Sequence, residues 1–94
     1  MTEEEARRLL RDIAKNRWVR LTRHCRERMA QRQVVMDDML QVLLWGQVRE
    51  LRQNPEGGNW ECVVVGRDIE KDPLSVKVVI LEADFALLCI TVFG

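Results

Sequence analysis

The apolar residues of this 94-residue chain change period at Gly46. Up to Trp45 they recur every three or four positions, which lines one face of a helix. From Gln47 they alternate, as in a strand with one buried face. A chain that switches once in this way must lay its helices on a sheet. The expected fold is one α+β domain, 1–94. Helices (about 3–45) pack on one face of a four-stranded antiparallel sheet (about 47–93).

The first helix is expected over Glu3 to Lys15. Thr2 serves as N-cap and Glu5 completes a capping box, while Ala6, Leu9, Leu10, Ile13 and Ala14 share one face. Trp18 to Leu21 reads as a short extended link. Thr22 then caps a second helix, Arg23 to about Arg32. Its apolar stripe is Leu21, Cys25 and Met29, and His24, Arg28 and Arg32 form the adjoining stripe. A third helix spans Asp37 to Trp45 with two acids in its first turn, and Gly46 ends it. Met29, Met36 and Met39 read as core filling.

Strands are expected over Gln47 to Gln53, Asn59 to Gly66, Leu74 to Glu82 and Ala86 to Phe93. Asn54, Pro55, Gly57 and Gly58 mark a turn, and Arg67 to Pro73 a polar loop. Short loops make the strands a meander of antiparallel neighbours. Leu74, Val76, Val78 and Ile80 share a face, as do Leu88, Ile90 and Val92. Val79, Leu81, Leu87, Cys89 and Phe93 then point the other way. An open face this apolar calls for a cover, and a homodimer through it is expected.

Fifteen basic and fifteen acidic residues cancel over the whole chain. The cancellation is between halves. Through residue 53 there are 12 basic and 8 acidic residues, and beyond it 3 basic and 7 acidic. From Arg7 to Arg32, nine Arg and one Lys face only Asp12 and Glu27, a net of +8. Arg outnumbers Lys 12 to 3, and its planar donor fork suits phosphate and carboxylate. Arg7, Arg11 and Lys15 read as the solvated stripe of the first helix. Arg23, Arg26, Arg28 and Arg32 are the candidate contacts to RNA or to an acidic protein. Trp18, Trp45 and Trp60 fit a core as well as a base-stacking role.

No apolar run approaches the roughly 18 residues needed to cross a bilayer, so no membrane partner is expected. The acidic start, Met1 to Glu5, does not read as a signal peptide. Cys25, Cys62 and Cys89 are odd in number, far apart and without a Cys-x-x-Cys. They read as buried thiols, neither a disulfide framework nor a zinc site, and a cytoplasmic location is the default.

The segment Leu21-Thr22-Arg23-His24-Cys25-Arg26-Glu27-Arg28-Met29-Ala30-Gln31-Arg32 resembles the opening motif of a bacterial family, domain of unknown function 4258. Its features are His24, Arg28-Met29 and Arg32. The resemblance continues through Asp37-Asp38-Met39-Leu40, Val65-Gly66-Arg67, Pro73-Leu74 and Ile90-Thr91-Val92-Phe93, covering about Val19 to Phe93. That family is similar in layout to RelE/ParE-like toxins. The resemblance implies a toxin-like, RNA-binding endoribonuclease that needs no metal or cofactor. Its implied partners are RNA or the ribosome and a small antitoxin. Relatives often carry His where this chain has Ser75 and Tyr where it has Phe93, and often run a few residues past Gly94. Tyr is absent from this chain.

Cleavage through the RNA 2′-hydroxyl needs a base, an acid and a cation for the phosphate. His24 is the one His, and Glu27 is placed one turn on to orient it. Arg28, Arg32 and Arg67 are the candidate phosphate holders. The candidate catalytic set is His24, Glu27, Arg28 and Arg67. The plain structural reading stays open: His24 packs locally, and Arg28 and Arg32 pair with Asp37, Asp38 or Asp68. The competing function is a non-catalytic interaction module whose Arg-rich helices bind an acidic protein.

Overall fold

The computed structural model describes residues 1–94. In chain order the elements are α1 (Glu3–Lys15), β1 (Val19–Leu21), α2 (Arg23–Arg32), α3 (Met36–Trp45), β2 (Gln47–Gln53), β3 (Trp60–Arg67), β4 (Pro73–Leu81) and β5 (Ala86–Phe93). A 3-10 turn, Glu82–Asp84, joins the last two strands.

The helices begin where their caps require. The Thr2 hydroxyl accepts from the Glu5 N–H and the Glu5 carboxylate accepts from the Thr2 N–H, which completes the capping box. In α3 the cap is built from inside the helix. The Asp38 carboxylate accepts from the Val35 N–H at 3.1 Å, so the helix starts at Met36, one residue earlier than expected. The other oxygen of Asp38 accepts from the Ile69 N–H at 3.1 Å, tying α3 to the β3–β4 loop.

Strand order is β1-β5-β4-β3-β2. Strands β2 to β5 form the expected antiparallel meander. The sheet nevertheless has five strands and is mixed. Within the expected link, Val19–Leu21 pairs parallel to β5, matching Val19 to Leu87 and Leu21 to Cys89. Three residues are too few to show an alternating pattern, and a parallel pairing leaves no hairpin signal in sequence.

A second correction concerns β5. The register runs Lys77 to Thr91 and then Val78 to Cys89, so Ile90 is an extra residue in the ladder. Such a bulge shifts the side-chain alternation by one. Leu87 and Cys89 therefore point into the core with Val92, each fully buried, rather than onto the open face. Leu88, expected inside, lies in the outward row with Glu61 and Val79. The open face keeps Val63, Val65, Val79, Leu81, Leu88 and Phe93 among Arg49, Arg52, Glu61 and Lys77.

The core lies between the helices and the other face. Ala6, Leu10, Ile13 and Ala14 from α1, Cys25 and Met29 from α2, and Met39, Val42 and Leu43 from α3 meet Val64, Val76, Val78, Ile80 and Leu87. Full burial of each large aliphatic side chain contributes about 1.5–3 kcal/mol before chain entropy is subtracted. Trp60 packs half-buried against this core, whereas Trp18 and Trp45 stand in solvent.

Gly46 ends α3 by proximity, not by a left-handed turn. Its backbone is extended, with φ −74°. A Cβ there would lie 2.6 Å from the Val42 carbonyl oxygen and 2.8 Å from Val64 Cγ1. Gly66 faces it, and a Cβ on Gly66 would come within 3.2 Å of Gly46 Cα. The pair lets the end of α3 touch the sheet directly. Replacing Gly46 with Ala should cost about 2–3 kcal/mol by overpacking. Gly57→Ala, where a Cβ meets nothing within 4 Å, should stay within about 0.5 kcal/mol. Urea midpoints of the two variants check this contrast.

Candidate nucleic-acid interface

One residue positions the basic helix. Thr22 follows β1 and precedes α2. Its N–H donates to the Cys89 carbonyl at 3.1 Å. Its hydroxyl donates to the Ile90 carbonyl at 3.1 Å and accepts from the Cys25 N–H at 3.0 Å. The first bond extends the β1–β5 ladder, the second uses the bulge carbonyl, and the third caps α2. An N-cap of this kind is worth about 1 kcal/mol.

Cys25 and Met29 bury the inner stripe of α2, and the helix packs against β5. The rest of α2 faces outward. At about 100° per residue, His24, Arg28 and Arg32 flank the buried stripe on one side, and Arg23 and Arg26 lie toward the other. His24, Arg23, Arg26 and Arg32 are exposed, and Arg28 is half-buried.

The pairings among these groups differ from expectation. Glu27 accepts from Arg23 Nε at 3.2 Å, one helical turn away, and not from His24. Both partners are well exposed, so the pair adds little stability. Arg28 donates to the Gln31 side chain at 3.2 Å, a neutral partner. No ion pair joins Arg28 or Arg32 to Asp37, Asp38 or Asp68. Asp38 is instead committed to backbone N–H groups, and Asp68 accepts from the Asp72 N–H.

Arg67 does not join the α2 residues. It lies at the end of β3, where it donates to the Lys71 carbonyl at 2.9 Å and braces the loop. The catalytic set is thus brought together only in part: His24, Glu27 and Arg28 share a helix, and Arg67 serves another element. His24 lies on an outward helix face. Four surface depressions lie along α1, between α1 and β2, between α1 and α3, and over the open sheet face. None of these has an α2 residue in its lining.

Ser75 and Phe93, where the motif resemblance implied His and Tyr, are direct cross-strand partners on β4 and β5. They belong to the outward face, because Val76 and Val92 point inward. Helix α2 packs on the other side of the sheet. Any chemistry at these two positions would therefore be separated from His24 by the sheet.

Two features had no signal in sequence. Arg11 Nε donates to the Leu44 carbonyl at 2.8 Å, across 33 positions, and its guanidinium lies 5.7 Å from the centre of the Trp45 ring. This takes Arg11 out of the solvated stripe. On the open face Arg52 Nε donates to its direct cross-strand partner Glu61 at 2.6 Å, beside the bulge at Glu50 in β2. The Glu61 side chain is only 11% exposed. This pair rims a depression of about 370 Å³ that also contains Lys77 and Phe93.

No cluster of His, Cys, Asp and Glu is arranged to hold a metal ion. No helix is long and apolar enough to cross a membrane. The three cysteines are buried free thiols. Burial pushes all three thiols up. Cys62 reaches about 12, with Glu3 and Glu61 adding to the effect of burial, and Cys25 adds to it at Cys89.

A thiol with a raised folded value holds a proton that the unfolded chain gives up. Its contribution to stability is intact below the ordinary value of 9.0 and declines as pH rises toward about 12. The folded protein should therefore resist a thiol-reactive disulfide reagent at about pH 8 and react at all three cysteines in denaturant. Rapid labelling of the native protein would contradict this burial.

A family model matches residues 21–93, from the last residue of β1 to the end of β5. No curated protein matches the chain, and no solved structure does.

Proposed function

The chain belongs to that family, the domain of unknown function DUF4258, and from this premise we propose that it is a toxin-like protein that binds RNA through the outward face of α2. The observation that carries the reading is the first turn of α2. Helices α1 and α3 follow the usual preference, with Glu3, Glu4 and Glu5 in one first turn and Asp37 and Asp38 in the other. Helix α2 has no acid there and has Arg23, His24 and Arg26 instead. Cations at the positive end of a helix are unfavourable by about 0.3–1 kcal/mol each. A polyanion seated on this turn removes the conflict, since phosphates suit both the side chains and the helix end.

Arg26 and Arg32 have no acidic partner, and Arg28 has only Gln31. These three are free to neutralise phosphate. His24 is the only imidazole and stands among them. In the cleavage reaction it is the general acid–base group. Helices on one face of a sheet, with four strands in an antiparallel meander, support the RelE/ParE-like layout. A small antitoxin with an acidic segment would compete with RNA for the same face.

One observation favours the second reading, a non-catalytic module that binds an acidic protein. His24 stands exposed on the helix, and Glu27 is engaged by Arg23. The readings separate by mutation. In the RNA reading, Arg26→Gln and Arg28→Gln each weaken RNA binding and lower its dependence on salt concentration by about one unit of log–log slope. His24→Ala leaves affinity within about threefold and abolishes cleavage. An absence of RNA affinity in the wild type removes the RNA reading. RNA binding without cleavage removes only the enzyme.

A further inference from the structure

The tryptophans suggest a second contact, away from α2. Trp is the largest apolar side chain and is highly buried on average. Trp45, the last residue of α3, is 66% exposed. It is not idle in the fold's electrostatics. Arg11 spans from α1, donates to the Leu44 carbonyl at the negative end of α3, and places its guanidinium over one side of the indole. That arrangement holds the ring in place and leaves most of it in water.

Arg11 is the cation that lies over this ring. Arg7 lies one turn before Arg11 on α1, and together with Arg49 it lines the depression beside Gln47, two residues past Trp45. Neither Arg7 nor Arg11 is paired with an acid. Lys15 continues the same stripe, and Asp12, Glu3 and Glu4 are the acids nearby.

We propose that Trp45, with Arg7 and Arg11, forms a stacking site for one base of a single-stranded RNA. The exposed indole takes the base, and the two arginines take the phosphates on either side. A rigid aromatic platform edged by cations is how proteins hold single strands without reading sequence. The inference rests on the RNA reading of α2 and gives that RNA a second point of attachment. A strand held at both places is fixed in direction as well as in position.

The test uses the full chain and a fluorescently labelled oligouridine of about ten nucleotides, with binding followed by anisotropy. Trp45→Ala should weaken binding by about tenfold and leave the salt slope unchanged, because no charge is removed. Trp45→Phe should recover most of the loss. Arg7→Gln should weaken binding and lower the slope by about one. Far-UV circular dichroism confirms that the variants fold, as expected for a side chain that is mostly exposed. If Trp45→Ala binds as tightly as the wild type while Arg26→Gln and Arg28→Gln bind more weakly, the stacking site is wrong and the α2 reading stands. If the wild type does not bind oligouridine, both are overturned.

Discussion

The structure depends on a single threonine placed at a sheet bulge. Thr22 closes the β1–β5 ladder through its N–H, fastens to the Ile90 carbonyl through its hydroxyl, and caps α2 with the same oxygen. Each bond alone is worth about 1 kcal/mol. Together they fix where α2 starts and at what angle it leaves the sheet. The bulge is what makes Ile90 available, since an extra residue has no partner across the ladder. Without the bulge, Leu87 and Cys89 would face outward and the core beneath α2 would lack the surface that Cys25 and Met29 pack on.

This arrangement divides the labour on α2. Two inward residues hold the helix, so the remaining positions are free of packing duty and hold charge. Four arginines and a histidine occupy a ten-residue helix whose apolar demand is met by Cys25 and Met29. The acidic half of the chain balances this charge in number but not in place. Glu61 is committed to Arg52 and Asp68 to its own loop. The zero net charge therefore conceals a face where positive charge is largely unanswered.

The helices were legible in the sequence nearly to the residue, because their starts carry local signals: Thr2 with Glu5, and Thr22 three residues before Cys25. The sheet was legible where alternation runs for seven or more residues, as in β4. It was not legible at β1, where three residues pair in parallel with a strand more than sixty positions away. Nor was it legible at Ile90, because a bulge changes phase without changing composition. The charge on α2 could be read directly. Its pairings could not, since Glu27 had both His24 and Arg23 within reach and only geometry decides between them. The Arg11–Leu44 bond, and with it the setting of Trp45, is a product of tertiary packing alone.

In the proposed function α2 is the surface that meets RNA. The most direct measurement is a nuclear magnetic resonance titration of the protein with a short single-stranded RNA, following backbone amide shifts residue by residue. The account predicts that the largest changes fall on residues 23–32 and fade as salt is raised. Changes confined to the open sheet face, or none at RNA concentrations that saturate other RNA-binding domains, would contradict it.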